Sequence, residues 1–182
     1  VSILEHGIVS RNYTKKKRLP FVDISEEGVQ DRRVGKKVLG TNKELHDYAN
    51  LYFDAHNPML CARQNKNSEI CVLKISKDVL DVEDVILTDK NAARAWDPCW
   101  FKPVAEGLPL LDKDRIFATW WTEYDDEYEK YKHAGEKCAE VLVPDLVRAN
   151  LITGAYVANQ LALKRFQEKI TVPVEINRAM FF

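Results

Sequence analysis

Lys137-Cys138-Ala139-Glu140-Val141-Leu142-Val143, closed by Pro144-Asp145, is the stretch on which the fold turns. A short apolar run ending at a turn pair predicts a β-strand. Alternate side chains of a strand share a face, so Glu140 points the same way as Cys138 and Leu142. A carboxylate among apolar neighbours needs a partner or a task, because desolvating it unpaired costs several kcal/mol. Two readings stay open. One is structural: an ion pair with a nearby Lys or Arg, or a wet edge-strand face. The other is functional: a carboxylate that grips a substrate hydroxyl or steadies positive charge as it develops.

Working outward, Ile152 to Val157 and Val172 to Ile176 are further expected strands, with a helix over Ala158 to Lys169 between them. Upstream, Leu45 to Phe53 is expected to end as a short aromatic strand followed by a turn at His56-Asn57-Pro58-Met59. Glu69 to Ile75 and Val85 to Leu87 are expected strands. Thr88-Asp89 is expected to cap a turn of helix through Ala95. Trp96 to Leu111 is expected as an aromatic-packed loop, and Asp112 to His133 as mainly helical, with Trp120, Trp121, Tyr124, Tyr128 and Tyr131 packing on it. Strands come in clusters with helices between them and without regular βαβ alternation, so the fold class is α+β.

The N-terminal third is less regular. Val1 to His6, followed by Gly7, looks like the last turns of a helix. Lys15, Lys16, Lys17 and Arg18 form a run of cations, expected on a loop and suited either to solvation or to phosphates. Pro20 to Asn42 shows little periodicity and is expected to be disordered or a functional loop. It carries Arg32, Arg33, Lys36 and Lys37; neither arginine can be an ordinary general base, since a guanidinium stays protonated.

With 46% hydrophobic residues in 182, the chain has material for one packed core. The 27 Lys plus Arg against 28 Asp plus Glu exclude a globally basic nucleic-acid coat while leaving local basic patches open. Cys61, Cys71, Cys99 and Cys138 have no zinc-site spacing and read as reduced thiols of a cytoplasmic protein. His46, His56, Asp47 and Asp54 select no metal. No apolar run reaches the roughly 20 residues needed to span a bilayer. Neither a Gly-x-Gly-x-x-Gly loop nor a Walker loop nor a Gly-x-Ser-x-Gly elbow occurs.

The string from Leu45 to Leu60, Leu-His-Asp-Tyr-Ala-Asn-Leu-Tyr-Phe-Asp-Ala-His-Asn-Pro-Met-Leu, resembles the signature of the DarT family, bacterial toxins that ADP-ribosylate DNA. In order along the chain, Val29-Gln30-Asp31-Arg32-Arg33 resembles the family's arginine-bearing loop and Thr88 to Ala92 its strand-to-helix turn. Lys137 to Val143 resembles the stretch holding its catalytic glutamate, and Val174-Glu175-Ile176 with Phe181-Phe182 its closing strand and aromatic pair.

The resemblance implies an ADP-ribosyltransferase-like fold over residues 1–182, with two small, mostly antiparallel sheets flanking an NAD cleft and helices at the periphery. It also implies that a strand with a His-x-Thr-like element and part of a helix, about twenty residues, stand before Val1. Glu140 would bind the nicotinamide ribose, and Arg33 would sit beside the target base and favour its deprotonated ring nitrogen. Tyr52, Arg32, Phe53 and Met59 would contact NAD, with no metal. Lys15, Lys16, Lys17, Arg18, Lys36 and Lys37 would contact single-stranded DNA, where the base edge is accessible.

The implied function is a toxin that transfers ADP-ribose from NAD to a DNA base, thymidine in preference to guanosine. It would be a monomer, opposed by a DarG-like macrodomain antitoxin. The competing readings are an RNA or protein acceptor, and an inactive nucleic-acid-binding or partner-binding module. Since an apolar residue suits its strand face, Glu140→Ala is expected to leave folding intact or improved.

Overall fold

The computed structural model describes residues 2–20 and 28–182. The strands are β1 (Ile8–Val9), β2 (Tyr48–Tyr52), β3 (Cys71–Ile75), β4 (Ile86–Leu87), β5 (Lys102–Pro103), β6 (Glu140–Pro144), β7 (Leu146–Val147), β8 (Ile152–Val157) and β9 (Val174–Ile176). The helices are α1 (Ser2–His6), α2 (Arg11–Lys17), α3 (Val29–Arg33), α4 (Pro58–Cys61), α5 (Val104–Gly107), α6 (Lys113–Ile116), α7 (Glu127–Glu136) and α8 (Gln160–Gln167). One sheet runs β2-β6-β4-β5, all antiparallel; a second runs β3-β8-β9; and β1 pairs with β7 as a short ribbon. Among the described residues only β8 and β9 pair in parallel. The α+β expectation holds.

β6 is central, with β2 on one side and β4 on the other. Val141 and Val143 face a core shared with Ala49, Leu87, Leu111, Ile116 and Val147. Leu142 faces a second cluster built from Val38, Leu45, Tyr48, Ile86, Ala92 and Cys99. A strand covered on both faces reads as a continuous apolar run, which explains the stretch from Val141 to Val143. The wet edge-strand explanation of Glu140 is therefore excluded.

Several expectations are corrected. The cations Lys15, Lys16 and Lys17 are not on a loop but in the last turn of α2, where positive charge complements the helix dipole. Ser10 starts that helix by accepting from the Tyr13 N–H. Arg32 and Arg33 end a short helix, α3, within the stretch expected to be irregular; residues 21–27 of that stretch lie outside the described residues.

Thr88-Asp89 caps no helix, because the Thr88 hydroxyl is engaged with Lys90 and β6 instead. The expected loop from Trp96 to Leu111 contains β5 and α5. The expected long helix over Asp112 to His133 is two, α6 and α7, separated by an irregular segment. Trp120 and Trp121 sit in that break, packed with His56 and Phe182 rather than along a helical stripe. The turn at Met59 is the first turn of α4, capped by Asn57 with Pro58 just inside. By contrast α1 closes at Gly7 with φ +82, as its sequence predicts.

Candidate active site

Glu140 is the first residue of β6 and pairs across the ladder with Tyr52 of β2. Its backbone is held from the other side by Thr88: the Glu140 N–H donates to the Thr88 hydroxyl at 3.1 Å, and the Thr88 N–H donates to the Glu140 carbonyl at 3.0 Å. This clamp fixes the strand at the residue whose side chain matters. The carboxylate itself has 0% exposure.

Arg33, 107 residues away in sequence, covers that carboxylate. Its Nη1 donates to both oxygens at 3.2 Å, and its Nη2 to Oε2 at 3.2 Å. The Ala92 N–H adds a fourth hydrogen bond, to Oε1 at 2.9 Å. Each carboxylate oxygen thus has two partners, which fills its acceptor capacity. Arg33 is itself only 5% exposed. Burial alone would lower the pKa of its guanidinium, but the charge and hydrogen bonds of Glu140 overcome this and hold it above the ordinary value. The ion-pair reading of Glu140 is therefore met, and its partner is the other sequence-predicted catalytic residue.

Tyr52 is half-buried beside the pair. Burial, reinforced by the charge of Glu140, pushes its hydroxyl well above the ordinary value, so it remains a donor at neutral pH. Cys138, expected on the strand with Glu140, lies instead in the turn between α7 and β6; it is pushed up to about 12, chiefly by burial, and is an inert thiol. The Met59 backbone lies near enough to that thiol to oppose the effect of burial, which brings α4 to the site's edge. The Phe53 N–H bonds to the Ala139 carbonyl at 3.4 Å. Tyr52, Phe53 and Met59 therefore gather around the start of β6, while Arg32 is exposed on the neighbouring helix.

The basic residues are more scattered. Lys15, Lys16, Lys17 and Arg18 are exposed on and just after α2. Lys15 and Arg11 lie near enough to His46 for their charges to assist burial in depressing its pKa, and His46 Nε2 lies 3.0 Å from Gln30 Oε1 on α3. That places the cation run beside the helix carrying Arg33. Lys36 is half-buried and donates to the Arg94 carbonyl at 2.9 Å, whereas Lys37 is exposed and paired with Glu44 at 3.0 Å.

Sequence reasoning missed Lys137. Its ammonium is fully buried and uses its donors on the Asp54 carboxylate and on the carbonyls of Ile116, at 2.9 Å, and Ala118, at 2.7 Å. The signal was present, a cation heading the same apolar run as Glu140. The Ala92 N–H carried no signal, because a backbone donor has no residue type. A cavity of about 270 Å³ lies beside Asp54, His56, Phe117 and Met180, and its lining includes neither Glu140 nor Arg33. Among the described residues no group of three or more His, Cys, Asp or Glu could hold a metal ion, and no helix is long and apolar enough to cross a membrane.

A family model described as "DarT: ssDNA thymidine ADP-ribosyltransferase, DarT" matches residues 1–182. A curated protein of Thermosipho africanus, described as a DNA ADP-ribosyl transferase-DNA ADP-ribosyl glycohydrolase fusion protein, is 25% identical over 189 residues. The alignment covers 100% of this chain and 46% of that protein, so the chain spans about half of its length. The solved structure of Thermus sp. 2.9 DarT with ADP-ribosylated ssDNA superposes with a TM-score of 0.76 at 24% identity, covering 99% of this chain and 90% of the other. The same Thermus protein with NAD+ gives 0.69 at 22% identity, covering 99% and 90%. At these identities the structural likeness establishes the ADP-ribosyltransferase fold.

Proposed function

The chain belongs to the DarT family of ssDNA thymidine ADP-ribosyltransferases, and from that premise we propose that it transfers ADP-ribose from NAD to a thymidine in single-stranded DNA, as a toxin. The single observation carrying this reading is the buried Arg33–Glu140 pair, two oppositely charged side chains from distant segments joined in a dry site at the head of the central strand. The complexes of the Thermus protein with NAD+ and with ADP-ribosylated ssDNA lend it support.

The donor set fits NAD. A carboxylate in a water-excluded site can accept from ribose hydroxyls and oppose the positive charge that builds on the ribose carbon as nicotinamide departs. NAD supplies the activated glycosidic bond; the chain's residues bind and orient. Tyr52, Phe53 and Met59 would hold the nicotinamide end, with Arg32 reaching from α3. Because every acceptor position of Glu140 is taken, Glu140 meets the ribose only when Arg33 gives up some of its bonds. The released guanidinium would then stand beside the thymine and favour its deprotonated ring nitrogen. One motion would thus free the carboxylate and deliver the cation to the acceptor base.

The phosphates would be met by Lys15, Lys16, Lys17 and Arg18 on α2 and by Lys36 and Lys37, the last after leaving Glu44. Residues 1–182 would form a single ADP-ribosyltransferase domain, acting as a monomer in the cytoplasm. Its counterpart would be a DarG-like macrodomain that removes the ADP-ribose, consistent with the glycohydrolase named in the Thermosipho fusion.

The test is to incubate the chain with NAD+ and a thymidine-containing single-stranded oligonucleotide and to record its mass. A gain of one ADP-ribose on the strand, much slower for Glu140→Gln, is expected. Unchanged DNA with intact NAD+ overturns the reading, and an adduct on RNA or protein alone moves the acceptor.

A further inference from the structure

We propose that Trp96 is a stacking platform for a base flanking the target thymidine, held beside the Arg33–Glu140 pair by a locked backbone; the inference rests on the DNA reading above and names how the strand is gripped. Trp96 is 80% exposed. A lone exposed aromatic would be ordinary, but the chain on both sides of this one is fixed while its indole is left free.

On the N-terminal side, Arg94 donates from Nε to the Trp96 carbonyl at 3.4 Å and from Nη1 to the Tyr131 carbonyl at 2.9 Å. Its guanidinium lies 3.7 Å over the Tyr131 ring, and the Tyr131 hydroxyl donates back to the Trp96 carbonyl at 3.5 Å. Gly135 makes room for this arginine: a Cβ there would lie 2.0 Å from Arg94 Nη1. On the C-terminal side, Asp97 sits at φ +54, uncommon for a residue other than glycine, and is held there by a 2.6 Å bond from the largely buried Lys90. The turn at Asp97 fixes the direction in which the chain leaves Trp96, although the Trp96 side chain itself packs on little.

The same segment touches the candidate site at two points. The Ala92 N–H bonds to Glu140, and the Arg94 carbonyl accepts from Lys36, three residues beyond Arg33. Val34 and Leu39 are also exposed, at 64% and 70%, among the cations Arg32, Lys36 and Lys37. An exposed aromatic on one segment, and exposed apolar side chains with cations on the segment that Lys36 ties to it, suit single-stranded nucleic acid, whose bases offer π-faces and whose phosphates need cations.

The experiment measures binding of a fluorescent thymidine-containing oligonucleotide to the full chain without NAD+, and single-turnover transfer with NAD+ present. Trp96→Ala should weaken binding and raise the oligonucleotide KM about 10- to 100-fold, the range for losing one base stack, with kcat little changed. Trp96→Phe should recover most of the affinity and Trp96→Leu should not. An oligonucleotide with an abasic position next to the target should bind the wild type as weakly as the intact strand binds Trp96→Ala, with no further loss in that variant.

A wild type that binds and modifies the strand while Trp96→Ala does so equally well overturns the platform and leaves the DNA reading standing. Recovery by Trp96→Leu to the level of Trp96→Phe also overturns it, since area rather than a π-face would then matter. A wild type that neither binds nor modifies DNA removes the DNA reading itself.

Discussion

Two buried ion pairs flank the start of β6, and they are built differently. Lys137 and Glu140 stand three positions apart and are both fully buried. Lys137 is tied to one side chain, Asp54, and to two backbone carbonyls, so its charge is held by groups that cannot leave without unfolding the segment around Ile116 to Ala118. Three of the four hydrogen bonds to the Glu140 carboxylate come from a single side chain on a five-residue helix, and the fourth, from the Ala92 N–H, is backbone. A pair anchored in backbone braces the fold. A pair resting on one side chain can exchange partners, which the proposed chemistry requires.

Breaking either pair from one side should show this contrast most strongly. Glu140→Ala should destabilise the protein by about 3–5 kcal/mol, since it strands the buried Arg33 charge, and Lys137→Met should cost somewhat less, since Asp54 is partly exposed and the main loss is the donor to two carbonyls. This reverses the expectation, drawn from the apolar strand face alone, that Glu140→Ala would leave folding intact: Arg33 is buried too. Denaturant titration of double variants sharpens the difference. Arg33→Met with Glu140→Leu should recover most of the loss, whereas Asp54→Leu with Lys137→Met should not, because the Ile116 and Ala118 carbonyls remain without a donor.

Next in size, Glu140→Gln keeps the shape and one acceptor oxygen while removing the charge and two of the four hydrogen bonds. Oligonucleotide transfer should fall about 10²- to 10³-fold with the melting temperature reduced far less than in Glu140→Ala. Transfer per folded Lys137→Met molecule should stay within about tenfold of wild type, a drop of less than about 1.4 kcal/mol in transition-state terms. Equal losses in both variants would erase the distinction between brace and exchangeable pair.

Arg33→Lys keeps the cation but loses the fork that engages both carboxylate oxygens, so DNA transfer should drop about tenfold while NAD+ affinity, read by calorimetry, changes less.

The smallest effect is on pH. His46 and His56 are both held below their ordinary 6.5, mainly by burial, so the folded state favours the neutral rings. The unfolded chain then binds more protons below pH 6.5, and stability, full above that value, should decline as pH falls from there through the lowered native values. His46→Gln should flatten part of that decline in urea titrations at pH 7.5 and 5.5. An unchanged slope would show that the ring beside Gln30 is not kept neutral.

What was legible in the sequence was local. The strands β3, β6 and β8, the helix α8 and the close of α1 at Gly7 announced themselves through apolar runs, turn residues and caps. Helix α3 did not, because five residues in a polar, glycine-rich stretch carry too little periodicity to be seen, and tertiary contact with Glu140 stabilises them. The long helix expected over Asp112 to His133 failed because its aromatics mimicked a helical stripe. They serve instead separate contacts, Trp120 and Trp121 with Phe182 and His56, Tyr124 with His133, and Tyr131 with Arg94.

By itself the sequence determined that a carboxylate at 140 would lie on an apolar strand and that an arginine pair near 33 stood ready to meet charge, since alternation along a strand and the permanence of a guanidinium are properties of residues in order. Only the tertiary structure decided that these two meet each other, that Lys137 is braced by backbone carbonyls, and that Trp96 is left facing water on the segment that bonds to Glu140. Such outcomes depend on which distant segments share a low-dielectric interior, where every buried charge must be matched, and no local pattern encodes that match.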